Sequence, residues 1–476
     1  MKKILLTLAL LTSIFKLVGQ PAITNVTHPN SVNLFDLFEV SFEMGPYNNP
    51  YDPDTIAVYA IFTSPNNTTI EVPAFYYEGY TFQEINGYEV ASPGNNGWRI
   101  RFTPTCIGDW SFRIVAEDSG GIMQLPSYNS RPYSFTCTSV NNANGFISKA
   151  NSRYLKQRVV INGAVCDKSF FPIGPNIAWY SCNPGNYGIW TEPHGIYDYE
   201  RYVDSLAGNG NYMRIWLNRY QYLNLYGPEY TQSSMVYFDS TLNQKDAAEL
   251  DHIVTYAAQH GVTLMMCIYS YGDFRFTNSH ETGDPTVWSN NPYNTLLHIS
   301  TPCDVFTEDE AIRVSKNLIR YIVSRWGYAT NIMCWELWNE VSHMYNECPQ
   351  FDTETSDWHD EMADFIRDID PFHHCISTSM GGIYTHDNPP LYMKLFDQMD
   401  IVQQHNYQEI QSAKSKKQLS YILYQKGLSS FDDYPTKPFF MGEFAFDQND
   451  SVPTYQEKDP KGIDLHNSLW SSLFSG

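Results

Sequence analysis

The chain has 476 residues and a net charge of −22, because 52 acidic side chains outnumber 30 basic ones. A strongly acidic protein repels polyanions, so we predict that it has no nucleic-acid partner. The length is enough for two or three domains with substantial cores.

Residues 1–19 are predicted to be a cleavable secretory signal peptide. Lys2 and Lys3 form a basic start, Ile4 to Phe15 is mostly apolar, and Val18-Gly19 provides a small-residue end. This apolar stretch is too short for a membrane span, and no other segment is long enough, so no span is predicted. We expect the protein to be secreted or periplasmic, with or without association with the cell surface.

The nine cysteines predict a mixture of thiols and disulfides. Three lie inside strand-like runs and are predicted to be buried thiols: Cys267, Cys334 and Cys375. The other six suggest disulfides Cys106–Cys137 and Cys303–Cys348, with Cys166 and Cys182 left over, although spacing alone leaves the connectivity open. No Cys or His spacing typical of zinc sites occurs, and we predict neither a metal nor a cofactor.

Residues 20–139 are predicted to form an immunoglobulin-like β-sandwich. Runs such as Phe38–Phe42, Ala57–Phe62 and Trp98–Phe102 are rich in β-forming residues and are separated by turn clusters of Asn, Pro and Gly. No group of acids or histidines in this region indicates chemistry. A packing or spacer role is therefore favoured over ligand binding.

Residues 140–153, rich in Asn, are predicted to be a linker. The segment Tyr154–Phe171 follows as a hairpin around Asn162-Gly163, which would cover the bottom of the next domain.

Strands and amphipathic helices then alternate, which predicts a parallel sheet and a (β/α)8 TIM barrel over residues 154–476. Seven strands can be counted: Phe171–Ile177, Tyr212–Leu217, Thr263–Ile268, Ile332–Leu337, Cys375–Ser379, Ile401–His405 and Phe439–Glu443. A closed barrel needs eight. We expect the eighth strand to lie beyond Gly476, so that the barrel is incomplete in this chain.

Active sites of such barrels lie at the C-terminal ends of the strands. The strand ends place polar and aromatic candidates at one rim: Asn176, Trp179, Arg214, Asn218, Tyr269, Trp338, Asn339, Glu340, His405, Tyr407 and Glu443. Glu340 and Glu443 form a carboxylate pair, and hydrolysis of a glycosidic bond needs one protonated and one ionised carboxyl group.

Glu336 is predicted to have a supporting role. It lies four residues before Glu340 and by strand alternation also faces the barrel interior. A buried glutamate needs a partner, and Arg214 is the candidate.

The pattern Trp335-Glu336-Leu337-Trp338-Asn339-Glu340, followed by His405-Asn406-Tyr407 and Gly442-Glu443, resembles clan A of the glycoside hydrolases, in particular family 5. The resemblance covers residues 165–476. It implies Glu340 as acid/base and Glu443 as nucleophile, with Asn339 on the sugar 2-hydroxyl and Tyr407 and Arg214 holding Glu443 ionised. It also implies a tryptophan on the eighth strand. The N-terminal region, with Arg101-Phe102-Thr103-Pro104 and Gly108-Asp109-Trp110, resembles the immunoglobulin-like domain that precedes such barrels.

Two functions of different classes follow. The first is a secreted retaining glycoside hydrolase that cleaves a β-glycan by double displacement. The second is a non-catalytic carbohydrate-binding protein built on an incomplete barrel. The carboxylate pair favours the enzyme, since binding alone needs no matched acid and nucleophile. The residues indicate neither the sugar and its linkage nor the oligomeric state.

Overall fold

The computed structural model describes residues 21–150, 153–178, 194–217, 223–225, 243–274, 288–345, 348, 351–381, 394–408, 419–446 and 461–475. These residues form a two-sheet sandwich, a small three-stranded sheet and a seven-stranded parallel sheet with helices around it.

The sandwich confirms the predicted N-terminal domain. One sheet has the order β1 (Ile23–Thr27), β3 (Phe38–Met44), β7 (Tyr88–Phe102), β6 (Phe75–Ile85). The other has the order β2 (Ser31–Asn33), β10 (Tyr133–Thr138), β8 (Gly108–Asp118), β4 (Ala57–Thr63), β5 (Thr69–Pro73), with β9 (Gly121–Leu125) beside β8. Alternate residues point inward and fill one core, in which Phe38 of the first sheet contacts Phe62 and Phe112 of the second.

The cysteine predictions were partly wrong. Cys303 and Cys348 form a disulfide with a Cα–Cα distance of 5.4 Å, as expected. Cys106 and Cys137 are free thiols instead. Cys137 lies on the inward face of β10 and packs as a small apolar side chain in the sandwich core, where burial raises its pKa to about 12. The strand thiols Cys267, Cys334 and Cys375 are buried, Cys166 is exposed, and Cys182 lies outside the described residues.

The segment predicted as a linker carries a strand. β11 (Asn142–Lys149) pairs with β12 (Leu155–Ile161), which forms the expected hairpin with β13 (Ala164–Phe170) through Asn162 and Gly163, both with positive φ. Ile147 of β11 packs against residues that begin the barrel strands. Burial of this side chain outweighs the turn preference of the neighbouring asparagines.

The barrel strands appear in the predicted order and are all parallel. They are β14 (Asn176–Ile177), β15 (Tyr212–Trp216), β16 (Thr263–Ser270), β17 (Ile332–Asn339), β18 (Cys375–Met380), β19 (Ile401–Gln408) and β20 (Phe439–Phe446). The first is shorter than predicted, since two prolines and Gly174 precede it. A side chain on Gly174 would place its Cβ 1.6 Å from the carbonyl oxygen of Tyr212.

Helices surround this sheet: α1 (Ile196–Leu206), α2 (Gln244–Gln259), α3 (Pro292–Thr295), α4 (Asp309–Trp326), α5 (Phe351–Ile369), α6 (Leu419–Asp433) and α7 (Ile463–Ser475). Short 3₁₀ turns lie at Tyr271–Phe274, Trp288–Asn290, Pro302–Phe306 and Val341–Met344. The apolar face of α2 is buried on the barrel. Among the helices of the described ranges, none has the length and apolar character that crossing a membrane would need.

The barrel is nearly closed, with β14 and β20 as the two edges of the sheet. A cavity of about 370 Å³ lies at this opening, lined by β20, α7 and the segment that leads to β14. Its walls are mainly apolar, and Trp470 on α7 is 49% exposed beside it. The opening is therefore an apolar gap between the first and seventh strands.

An ion cluster joins the sandwich to the barrel. Asp251 of α2 contacts Arg101 of β7 at 2.6 Å and Arg325 of α4 at 2.7 Å, and it accepts a hydrogen bond of 2.9 Å from the Trp326 indole. Burial raises the pKa of Asp251, but the two guanidinium groups outweigh this effect and lower it from 3.8 to about 2. The cluster therefore stabilises the folded protein above about pH 4, and this contribution is lost as the pH falls towards 2.

We expect Asp251→Asn to destabilise the protein by about 3–5 kcal/mol at neutral pH, because buried Arg325 loses its counter-ion and buried Arg101 keeps only Glu39. Thermal and denaturant unfolding would measure the loss. The matched control is Asp167→Asn, whose carboxylate pairs with Lys156 and Arg158 on the solvent-accessible β12–β13 hairpin and should contribute at most about 1 kcal/mol. Equal losses in the two variants would contradict this account of the interface.

Candidate active site

The centre of the barrel rim is the buried guanidinium of Arg214, on β15. Its Nε and Nη2 donate to the two oxygens of Glu336 at 2.6 and 2.7 Å, and its Nη1 donates to Glu443 at 2.6 Å. The remaining donors reach Asn176 at 3.0 Å and Asn339 at 2.8 Å. All five N–H groups of the arginine are therefore satisfied within the barrel.

Glu336 faces the barrel interior and pairs with Arg214, as predicted from its position on the strand. It is fully buried and accepts two bonds from Arg214 and a third, of 3.0 Å, from Gln403 of β19. The pairing is bidentate, which is the strongest geometry for an arginine and a carboxylate. Glu336 therefore orients Arg214 and has no free oxygen for another partner.

Glu443 of β20 is surrounded by donors. Arg214 donates to one oxygen, and His405 Nδ1 lies 3.5 Å from that same oxygen. The second oxygen accepts a hydrogen bond of 2.5 Å from the Tyr407 hydroxyl. Burial first, and then the nearby carboxylate, raise the pKa of Tyr407, so the tyrosine remains a donor. The preceding Gly442 leaves space for this arrangement, because a Cβ there would lie 2.8 Å from His405 Nε2.

Glu340 follows directly after β17 and turns the chain back over the rim. Its backbone is left-handed, with φ 49°, an uncommon conformation for a residue with a side chain. The backbone N–H donates to Ser379 Oγ at 2.9 Å. One carboxylate oxygen lies 2.9 Å from His405 Nδ1 and the other lies 3.4 Å from His343 Nε2. Both oxygens of this carboxyl group thus face imidazole rings.

The two carboxyl groups lie close together. Oxygens of Glu340 and Glu443 and a ring nitrogen of His405 are all within 4.8 Å of one another. Carboxylate oxygens and an imidazole nitrogen can bind a metal ion, but Arg214 already provides a positive charge at Glu443. We therefore interpret it as a carboxylate pair bridged by an imidazole and assign no metal to it.

The electrostatic environments of the pair differ. Burial raises the pKa of Glu340, whereas its contacts with His343 and His405 lower it, and the net direction is downward when the imidazoles carry protons. Glu443 shares the His405 ring at 3.5 Å and in addition contacts a permanent cation and a hydroxyl donor. The proton affinity of Glu340 therefore depends on its histidines, while Glu443 has a fixed counter-charge.

Two of the aromatic candidates lie in the core and not at the rim. Trp338 and Tyr269 are fully buried and pack with Phe274 in the layer between barrel and helices, away from the rim surface. The reason is a break in the alternation of β17. Glu336 and Asn339 both contact Arg214 although they are three residues apart, so Trp338 between them points outward.

Arg214, Asn176, Asn339, Glu340, His405, Tyr407 and Glu443 are brought together as expected from their strand ends. Trp179 and Asn218 lie outside the described residues. Sequence reasoning missed Gln403 and His343. Gln403 lies two residues before His405 on β19 and shares its face, which is a signal that alternation contains. His343 lies three residues after Glu340, on a turn that the strand pattern did not predict.

A pair of carboxylates at the C-terminal rim of a parallel β/α barrel is an arrangement that glycoside hydrolases use. The family model described as cellulase, glycosyl hydrolase family 5, matches residues 199–471, more than half of the chain. This protein belongs to glycosyl hydrolase family 5. A domain of unknown function, DUF5060, matches residues 31–117 within the sandwich.

Individual relatives are more distant. Mannan endo-1,4-beta-mannosidase 5 of Arabidopsis thaliana is 26% identical over 215 residues, which are 42% of this chain and 45% of that protein. The chain thus matches less than half the length of this curated relative. A candidate glycoside hydrolase from Bacteroides vulgatus is 15% identical with a TM-score of 0.58, over 93% of this chain and 70% of that one. This second likeness shows the fold alone.

We expect Arg214→Gln to cost about 3–5 kcal/mol in unfolding free energy, because it leaves Glu336 and Glu443 buried without a cation. Two buried carboxyl groups without a counter-ion bind their protons more tightly in the folded state than in the unfolded state. The variant should therefore regain stability relative to the wild type as the pH falls from about 7 to about 5.

Chemical denaturation at several pH values would measure both effects. Arg158→Gln is the matched control, since this arginine is 52% exposed on the hairpin and should contribute at most about 1 kcal/mol. A loss in Arg214→Gln that is the same at every pH would show that its carboxylates are not the source of the destabilisation.

Proposed function

We propose that this protein is a retaining glycoside hydrolase that cleaves β-glycosidic bonds by double displacement. The observation that carries the proposal is the distance within 4.8 Å between oxygens of Glu340 and Glu443. Retaining enzymes hold their carboxyl groups about 5–5.5 Å apart, whereas inverting enzymes need about 6.5–9.5 Å to admit a water molecule.

In the first step Glu443 is the nucleophile. Its carboxylate attacks the anomeric carbon while the bond to the leaving oxygen breaks, and Glu340 gives its proton to that oxygen. Arg214 and Tyr407 support this assignment, since both donate hydrogen bonds to Glu443 and hold its carboxylate in place. The product is a glycosyl ester on Glu443 and a free alcohol.

In the second step Glu340 is the base. It takes a proton from water, whose oxygen attacks the anomeric carbon and releases the Glu443 carboxylate. The proton given up in the first step is thus returned, and both residues regain their starting states. The contact of Asn339 with a sugar 2-hydroxyl stays a prediction, because its amide is buried and its oxygen already accepts from Arg214.

For the substrate we propose a neutral β-1,4-linked glycan, with β-mannan as the first choice. The support is the name of the Arabidopsis relative, a mannan endo-1,4-beta-mannosidase. The net charge of −22 also disfavours a polyanionic polysaccharide.

Export from the cell is also a proposal. The disulfide Cys303–Cys348 supports it, because disulfides persist mainly in oxidising compartments. The signal peptide proposed for residues 1–19 lies outside the described residues, and the N-terminal sequence of the exported protein would test it.

We expect Glu340→Ala and Glu443→Ala each to lower kcat on the glycan by about 10²-fold to 10⁴-fold or more. Azide should then distinguish the two roles on an activated aryl β-glycoside. In Glu340→Ala it attacks the glycosyl ester and gives the β-glycosyl azide. In Glu443→Ala it replaces the nucleophile and gives the α-glycosyl azide. Product anomers by NMR provide the measurement.

The matched control is Glu117→Ala, an exposed glutamate of β8, which should leave turnover unchanged. Full activity in either site variant would refute the assignment. The same azide anomer from both variants would refute the separation of roles.

We expect reducing ends to be released from β-mannan at least about tenfold faster than from a β-1,4-glucan or a β-1,3-glucan. Assays on this panel, with calorimetry on the same glycans, test the substrate class. Tight binding of a glycan with no product at any pH would favour the non-catalytic carbohydrate-binding protein instead.

A further inference from the structure

A second histidine, His343, lies beside Glu340. Val341–Met344 forms a 3₁₀ turn directly after Glu340, in which the His343 N–H donates to the Glu340 carbonyl oxygen at 3.0 Å. The turn brings the His343 ring back to the Glu340 side chain, with His343 Nε2 3.4 Å from Glu340 Oε2. His405 contacts the opposite oxygen, so the two rings have separate positions.

The His343 ring is held in place on both sides. It lies against Tyr271 with a centroid distance of 4.5 Å. On the other side is Gly381, where a Cβ would lie 2.5 Å from His343 Nε2 and 3.3 Å from Glu340 Oε1. The Gly381 N–H also donates to Ser342 Oγ at 2.9 Å, which attaches the turn to the end of β18. The fit leaves room for the imidazole only because residue 381 has no side chain.

The charges around Glu340 come from several elements. Among the described residues, β19 provides His405 and the hydroxyl of Tyr407, β20 provides Glu443, and β15 provides Arg214 behind Glu443. The guanidinium is shared between two carboxylates, Glu336 and Glu443. Within the described ranges, a further positive charge at Glu340 can therefore come only from an imidazole. Of the two rings, His405 is fully buried, whereas the side chain of His343 is 21% exposed and can exchange protons with solvent.

We propose that His343 is a positioning residue that sets the pH range over which Glu340 holds its proton. The proposal rests on the role of Glu340 as acid/base. A protonated His343 favours the Glu340 carboxylate, the form that accepts a proton from water in the second step. A neutral His343 allows Glu340 to keep the proton that the first step requires.

The direction of the effect follows from the sign of the charges. An opposite charge within about 4–6 Å lowers the pKa of a carboxyl group by one to three units. Removing the imidazole while keeping polarity, as in His343→Gln, should therefore raise the pKa of Glu340. The pH limb that reports loss of the Glu340 proton then moves to higher pH.

The test is a titration that does not need turnover. Carboxyl-carbon NMR of the full chain labelled at glutamate Cδ, with the Glu340 signal identified by its absence in Glu340→Gln, reports the protonation of this group. We expect its midpoint to rise by about one unit or more in His343→Gln. His343→Asn, which is smaller and also uncharged, should give a rise in the same direction.

Two controls separate charge from structure. His252→Gln removes a histidine that pairs with Glu200 on the outside of α2, and it should leave the Glu340 midpoint unchanged. Ser342→Ala weakens the same turn without changing its charge, and it should also leave the midpoint unchanged. An unaltered midpoint in both His343 variants, or an equal rise in Ser342→Ala, would overturn the proposal.

Kinetics provide a second readout. In His343→Gln the alkaline limb of the kcat/KM profile on a β-glycan should move to higher pH, by the same number of pH units as the NMR midpoint of Glu340. On an aryl glycoside with an activated leaving group the limb should not move, because that departure needs no proton. If His343→Gln loses activity while its alkaline limb stays at the wild-type pH on both substrates, the role of His343 is merely structural. If the wild type hydrolyses nothing, the proposed function fails, while the NMR titration still decides whether His343 controls Glu340.

Discussion

The arrangement of the barrel rim depends on one buried cation. Taking a guanidinium out of water has a large desolvation penalty, which is offset only if every N–H finds an acceptor in good geometry. Arg214 meets this condition with one acceptor residue on β14, two on β17 and one on β20. Because one planar group bonds to strands on opposite sides of the barrel, any movement of Glu443 would break its 2.6 Å bond to Arg214 and leave one buried N–H of the guanidinium without this acceptor. The Arg214 guanidinium therefore fixes the position of the Glu443 carboxylate and places a positive charge beside it.

The polar layer that surrounds this cation lies above an apolar one. Tyr212, Met265, Met333 and Cys334 fill the lower barrel, and Ile147 and Leu155 of the three-stranded sheet cover them. The upper layer holds three carboxylates and one arginine. Arg214 contacts Glu336 and Glu443, and two histidines contact the third carboxylate, Glu340. The site thus has a fixed charge at Glu443 and a titratable environment at Glu340, which is the difference in environment that a two-step acid and base mechanism requires.

Local sequence patterns were sufficient to predict the strands and the helices and to place most of the site residues at one rim. Continuous apolar runs predicted β16 and β17, and the parallel order followed from the alternation with helices. Strand ends then placed Glu340 and Glu443 at one rim. Local patterns failed where a distant contact decided the outcome. Its position near a strand end made Trp338 a rim candidate, but the contact of Asn339 with Arg214 turns the tryptophan into the core. Asparagine content predicted a linker where Ile147 finds a buried position under the barrel.

The chain by itself therefore determined the order of the strands, the position of the carboxylates at their ends and the need of Glu336 for a basic partner, because these follow from periodicity and from the cost of burying charge. Only the tertiary structure decided the distance between the two carboxylates, the sharing of Arg214 and the approach of His343 to Glu340. The physical reason is that these depend on barrel closure and on a left-handed turn at Glu340. Both depend on packing between residues far apart in the chain, which no local pattern specifies.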